Sequence, residues 1–143
     1  MRTLSHWRDV LITWGPSLAF MLLLFISSAQ PKNPPPDGNP DQVYFSGAMP
    51  VFPQMWDFAI KKSSHILAYG VLAVLNLRAC LRLKLRRAML LAAALALLYA
   101  LTDEFHQSFV PGRRASFIDI GFDALGVLGA LLGVWISRRK LAA

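Results

Sequence analysis

Long apolar runs alternate with short polar breaks along this chain. Crossing a bilayer core about 30 Å thick takes about 20 helical residues, and four runs reach or approach that length. They predict spans over residues 10–29, 62–81, 88–109 and 117–136. The third is the least obvious, because its purely apolar part stops at Leu101. To gain the length, the helix must continue through Asp103 and Glu104. At a rise of about 1.5 Å per residue, this puts both carboxylates about two turns below the outer surface. Residues 30–53, which hold seven of the nine prolines, form the polar break after the first span. Proline supplies no backbone donor, so an extended loop is expected there. Val51 to Phe58, with Trp56 and Phe58, reads as an interfacial segment where aromatics anchor. A basic turn, Arg82 to Arg87, is short enough to make spans two and three an antiparallel hairpin, and Pro111-Gly112 ends span three. The expected fold class is all-α: a polytopic membrane bundle of four transmembrane helices, one domain over residues 1–143.

Composition agrees with that pattern. With 55% hydrophobic and 16% charged residues, the chain is too apolar for an ordinary soluble domain. The net charge of +7 raises nucleic acid as a partner, but its distribution argues against it. Ten of the fifteen Lys and Arg fall in three clusters beside apolar runs: Arg2 and Arg8, then Arg78, Arg82, Lys84, Arg86 and Arg87, then Arg138, Arg139 and Lys140. Cytoplasmic anchors have this pattern, and it predicts both termini inside, with residues 30–53 and 103–123 outside. The same clusters suit anionic lipid heads, and no nucleic-acid fold signature accompanies them. Arg2 and Arg8 before the first run and Ser27-Ser28-Ala29 after it also suit a signal peptide. The run is long for a signal core and holds Trp14 and Pro16, so an uncleaved anchor is expected. Cys80 is the single cysteine, which excludes an intrachain disulfide.

Candidate chemistry gathers at the outer ends of the last three spans. Lys62, His65, Tyr69 and Asn76 recur at spacings of three, four and seven, on one helical face. Asp103, His106 and Gln107 share a face of span three, with Glu104 turned about 100° away. On span four, Asp119 and Asp123 share a face with Gly126, Ala130 and Gly133, and Gly129 to Gly133 forms a GxxxG step that suits close packing. Charges facing hydrocarbon would be unpaired, so the three polar faces are expected to converge inside the bundle.

Structural readings stand beside functional ones. Ser116 with Asp119 fits a helix cap, Arg114 a balancing surface charge, His106 an interfacial residue, and Tyr69 and Asn76 inter-helix hydrogen bonds. Functionally, Lys62, Arg113 and the N-terminus of span four could hold a phosphate, because free helix N–H groups favour anions. Asp103, Glu104 and His65 are the candidate catalytic acids or bases. Lys62, Tyr69, Gln107, Arg113, Ser116, Asp119 and Asp123 are the candidate ligand-binding residues. Carboxylates with His65 are acceptable ligands for a divalent ion, but the sequence has no tight metal motif, so no metal ligand is assigned and the cofactor is left unknown.

The ordered set Asp103-Glu104-x-x-Gln107-x-Phe109-x-Pro111-Gly112-Arg113-x-x-Ser116-x-x-Asp119, followed by Gly126, resembles the VanZ-like family of membrane proteins. Lys62-x-x-His65-x-x-x-Tyr69 is similar to that family's second-span pattern. The resemblance covers residues 62–133; the first span and the proline-rich segment match only in type and position. Where the family often has asparagine, this chain has Asp123, which adds a negative charge. The resemblance implies a bacterial plasma-membrane protein with a cell-envelope role, similar to the accessory protein of glycopeptide-resistance clusters that lowers susceptibility to teicoplanin. Two functions are expected from the residues and the resemblance together. The first is a pocket that binds an envelope lipid head, a lipid-linked cell-wall precursor or a lipoglycopeptide. The second is an intramembrane hydrolase or transferase for a phosphorylated or acylated envelope lipid. A structural role in an envelope complex is a third reading.

Overall fold

The computed structural model describes residues 2–31, 51–113 and 115–142, apart from the side chains of residues 2–6, 51–54, 57 and 142. The proline-rich expectation for residues 32–50 and the reading of Arg114 lie outside the described residues. Four helices make up the described chain: α1 (Arg2–Ser28), α2 (Val51–Arg82), α3 (Ala88–Gln107) and α4 (Phe117–Ala142). Each is long and apolar enough to span a membrane.

The helix ends follow local chemistry. Helix α2 begins at Val51, so the aromatic segment expected at the interface forms its first two turns. Pro53 is compatible with this, because N–H groups in a first turn have no intrahelical partner. Helix α3 stops at Gln107, ahead of Pro111. Val110 to Arg113 then closes a type II turn: the Arg113 N–H donates to the Val110 carbonyl at 3.1 Å, Pro111 takes the second position, and Gly112 takes the third with φ of 74°. A side chain at Gly112 would be strained in that left-handed conformation. The α2–α3 turn uses two non-glycine residues at positive φ, Lys84 and Arg87. Helix α4 continues to Ala142, its last turns carrying basic residues that complement the negative end of the helix dipole.

Helix α2 is the hub. It packs most extensively on α4, then on α3, and also touches α1. Its buried Tyr69, Leu72, Ala73, Leu77 and Cys80 meet Ala88, Ala92, Ala96 and Ala100 of α3 and Val127 and Leu131 of α4. On α3 the four alanines, spaced one turn apart, face inward, while Leu90, Leu91, Leu95 and Leu98 point outward. Small residues let backbones approach, and large apolar side chains are left for lipid. The glycines of the GxxxG step are not the ones that allow it, since a Cβ at Gly129 or Gly133 would meet nothing within 4 Å. The close approach is made by Gly126 on α4 and Gly70 on α2; a Cβ on Gly126 would collide with the Ile66 backbone, its carbonyl oxygen first. The buried face of α4 runs through Asp123, Gly126, Val127 and Leu131, rotated away from Gly129 and Gly133.

Helix α1 is attached differently. Pro16 lies inside it and has no N–H to give the Ile12 carbonyl. Arg78 and Arg82 of α2 donate to that carbonyl instead, at 3.3 and 3.2 Å. Further along, the Tyr99 hydroxyl of α3 donates to the Met21 carbonyl at 2.5 Å. Arg113, in the α3–α4 turn, donates to the carbonyls of Ser27 and Gln30 at the end of α1, at 3.1 Å each.

Candidate functional site

One end of the bundle gathers the early turns of α2, the last turns of α3, the type II turn and the start of α4. The polar faces anticipated on the three helices meet there, and Lys62, His65, Tyr69, Asp103, Gln107, Asp119 and Asp123 each have a specific partner. Lys62 donates to the Asp119 carboxylate, joining α2 to α4. The Lys62 ammonium also lies over the rings of Phe58 and Phe122, at 5.3 and 5.7 Å from their centroids. One turn deeper, His65 Nδ1 and Asp123 Oδ1 share a hydrogen bond at 2.9 Å. Deeper still, the Tyr69 hydroxyl donates to Asp103 Oδ2 at 3.1 Å, joining α2 to α3. Gln107 Nε2 donates to the same oxygen at 2.9 Å, and Arg113 donates to Gln107 Oε1 at 3.2 Å. The ladder therefore runs from Arg113 through Gln107 and Asp103 to Tyr69.

Glu104 does something its position on the helical wheel did not foretell. It is only 3% exposed, and its Oε2 accepts the Ser116 backbone N–H at 2.7 Å. A carboxylate from α3 thus satisfies a donor immediately before the first residue of α4, a role that an acid at the third helical position fills in a capping box. Ser116 still starts the helix, because its carbonyl accepts the Asp119 N–H at 3.0 Å. Asp103 and Glu104 point about 100° apart and both are buried, because the end of α3 packs against α2 on one side and α4 on the other.

These partners change the phosphate reading. Lys62 is bonded to Asp119, the Ser116 N–H is taken by Glu104, and Arg113 is engaged by Gln107 and the α1 carbonyls. The groups read as an anion cradle already serve protein acceptors. What remains free is acceptor capacity: Asp103 Oδ1, Glu104 Oε1 and Asp123 Oδ2 are buried and have no hydrogen-bond partner. Two contributors were not singled out from the sequence. Tyr99 stands one turn before Asp103 and in line with Gln107, a spacing that could have placed it on the same face. Phe25 of α1 lies against His106 with ring centroids 4.3 Å apart, so His106 packs on a helix. Nothing in local sequence shows that contact.

Directly below the cluster, an apolar groove of about 460 Å³ runs between α2 and α4. Ile66, Gly70 and Val74 line it from α2, and Leu125, Gly129 and Ala130 from α4. Ile66 follows His65, and Leu125 lies two residues after Asp123, so along both helices the groove's lining starts next in sequence to the cluster.

The VanZ/LLP1 family model matches residues 13–140, nearly the whole chain and every helix of the cluster. No curated protein and no solved structure matches. With four membrane-length apolar helices and a family match of that extent, the chain belongs to the VanZ/LLP1 family of multi-pass membrane proteins.

Proposed function

We propose that this protein works in the bacterial plasma membrane by binding a polar envelope lipid, with the head at the α2–α4 cluster and an acyl chain in the groove below. The observation that carries the reading is adjacency along α4: Asp123, whose buried Oδ2 has no partner, stands two residues before Leu125 and three before Gly126, which line an apolar trough between α2 and α4. The groove follows α2 over ten residues, from Ile66 to Leu75, a rise of about 14 Å at 1.5 Å per residue. A trough of this kind in hydrocarbon accepts an alkyl chain without desolvating any polar group. The free oxygens are acceptors, so they favour heads rich in donors: sugar hydroxyls, amines or the amide groups of a lipid-linked cell-wall precursor. A lipoglycopeptide offers the same combination of donor-rich head and alkyl tail, which agrees with the resistance-related envelope role that the family name suggests. The positively charged ends of the helices support an orientation with both termini inside and the cluster outside.

A second reading is favoured by one contact. The His65–Asp123 hydrogen bond fixes the imidazole beside Glu104, an arrangement that also suits acid–base chemistry in a hydrolase or transferase. One experiment separates the two. The protein is purified from membranes, and retained and altered lipids are identified by mass spectrometry for wild type, Gly129→Leu and Glu104→Gln. A Cβ at Gly129 meets open space, so leucine there fills the groove without touching the cluster. Binding predicts a retained, unaltered lipid that falls at least several-fold in Gly129→Leu. A lipid altered by wild type and left intact by a folded Glu104→Gln variant would establish the enzyme. Equal retention in wild type and Gly129→Leu, with no product, would end both readings.

A further inference from the structure

We propose that His65, Glu104 and Asp123 form a binding site for a divalent transition-metal ion, Zn2+ or Mn2+. Three helices each contribute one residue: His65 from α2, Glu104 from α3 and Asp123 from α4. One donor atom from each lies within 4.8 Å of the other two. Ligands on one tetrahedral ion, with bonds of about 2.0–2.2 Å, stand about 3.4 Å apart. Small side-chain rotations of order an ångström therefore close the shell, with no movement of the helices.

Convergence alone would suit a structural ion pair, but the unpartnered oxygens argue for more. Asp123 is 1% exposed and Glu104 3% exposed, and each keeps one buried oxygen, Oδ2 and Oε1, without a donor. Their other oxygens are satisfied, by His65 and by the Ser116 N–H. Among the described residues, the nearby cations do not reach these free oxygens: Lys62 bonds Asp119, and Arg113 bonds Gln107 and carbonyls of α1. Two buried carboxylate oxygens without a donor, on residues gathered around one imidazole, are costly in a low dielectric. A bound cation relieves that cost for both at once.

The donor set also selects the ion. One imidazole nitrogen with two carboxylate oxygens suits borderline ions, whereas Mg2+ and Ca2+ prefer all-oxygen shells. Three protein ligands leave at least one position open, the arrangement of zinc sites that accept water or a ligand. The His65 side chain, 24% exposed, provides an entry path. An ion here takes two of the oxygens assigned above to the lipid head, which would then meet the ion at its open position; uptake of the ion itself does not require the lipid.

The test uses the full chain in detergent, with no histidine tag. Metal is stripped with chelator, Zn2+ or Mn2+ alone is added back, excess is removed, and metal per chain is measured by elemental mass spectrometry. Co2+ is added in parallel, and its visible absorption reports coordination directly. The expected result is about one ion per chain and a rise in Tm on addition of metal. Glu104→Gln, Asp123→Asn and His65→Gln should each weaken binding at least tenfold. Asp103→Asn, which removes a neighbouring buried acid outside the triad, should keep it. Should any triad variant fail to fold, the wild-type stoichiometry, its Tm rise and the Co2+ spectrum still decide. A folded wild type that takes up no ion, or binds equally in the triad variants, overturns the proposal. A wild type that binds the ion but retains no lipid would instead count against the lipid reading alone.

Discussion

Gly126 is the residue on which the tightest helix contact depends. A Cβ there would run into the Ile66 carbonyl, and backbone cannot yield as a flexible side chain does. Gly126→Ala should push α4 from α2 and lower stability by at least ~1–3 kcal/mol, read as a lower Tm in detergent. Gly129→Ala meets nothing within 4 Å, so its Tm should stay level or rise, since alanine favours helix over glycine by about 1 kcal/mol. An equal loss in both variants would show that helix packing does not distinguish the two glycines. At this scale the sequence was only partly readable. Lys62, His65, Asp103, Glu104 and Asp123 declared themselves as polar residues within apolar runs. Their pairing did not, because which acid meets which base depends on the rotation and axial offset of separate helices. The same limit hid Gly70 and Gly126 behind the more conspicuous Gly129–Gly133 spacing.

At the scale of elements, α1 and the α3–α4 turn show two ways of completing a helix with borrowed donors and acceptors. Glu104 satisfies the donor at the start of α4, and Arg113 satisfies carbonyls at the end of α1. Pro16 creates the need that Arg78 and Arg82 meet. This predicts a coupling between distant positions. Substituting both arginines with alanine should cost about 1.5–3 kcal/mol, in the range for hydrogen bonds from charged donors. In a Pro16→Ala background the restored backbone N–H can serve Ile12, and most of that cost should vanish. A double-mutant cycle on detergent unfolding measures this directly, and additive losses would refute the link. The number of helices could be read from hydropathy because bilayer thickness sets their length. Their ends could not all be read, since α2 and α4 run past their apolar parts into interfacial and basic turns that still favour helix.

For the whole molecule, the exposed surface is the main evidence of its surroundings. Leu22, Leu67, Leu98, Phe105, Leu128 and Leu132 are all more than half exposed, which for a protein in water would be an aggregation hazard and in a bilayer is ordinary. The basic clusters at the two ends and in the α2–α3 turn then predict orientation. Cysteines introduced near either terminus should resist a membrane-impermeant reagent in intact cells, and one at Ala115 should react. The opposite labelling would invert the molecule and place the cluster inside. Within this body, α1 follows its own rule. Its ties run to the main-chain oxygens of Ile12, Met21, Ser27 and Gln30, a group every amino acid supplies. Those hydrogen bonds are blind to side-chain identity, and what α1 spells out is confined to the few side chains that pack inward, such as Phe25 on His106 and Trp14, Phe20 and Leu24 on the core. The cluster helices are spelled letter by letter, while the outward residues of the first span can be respelled with other apolar residues.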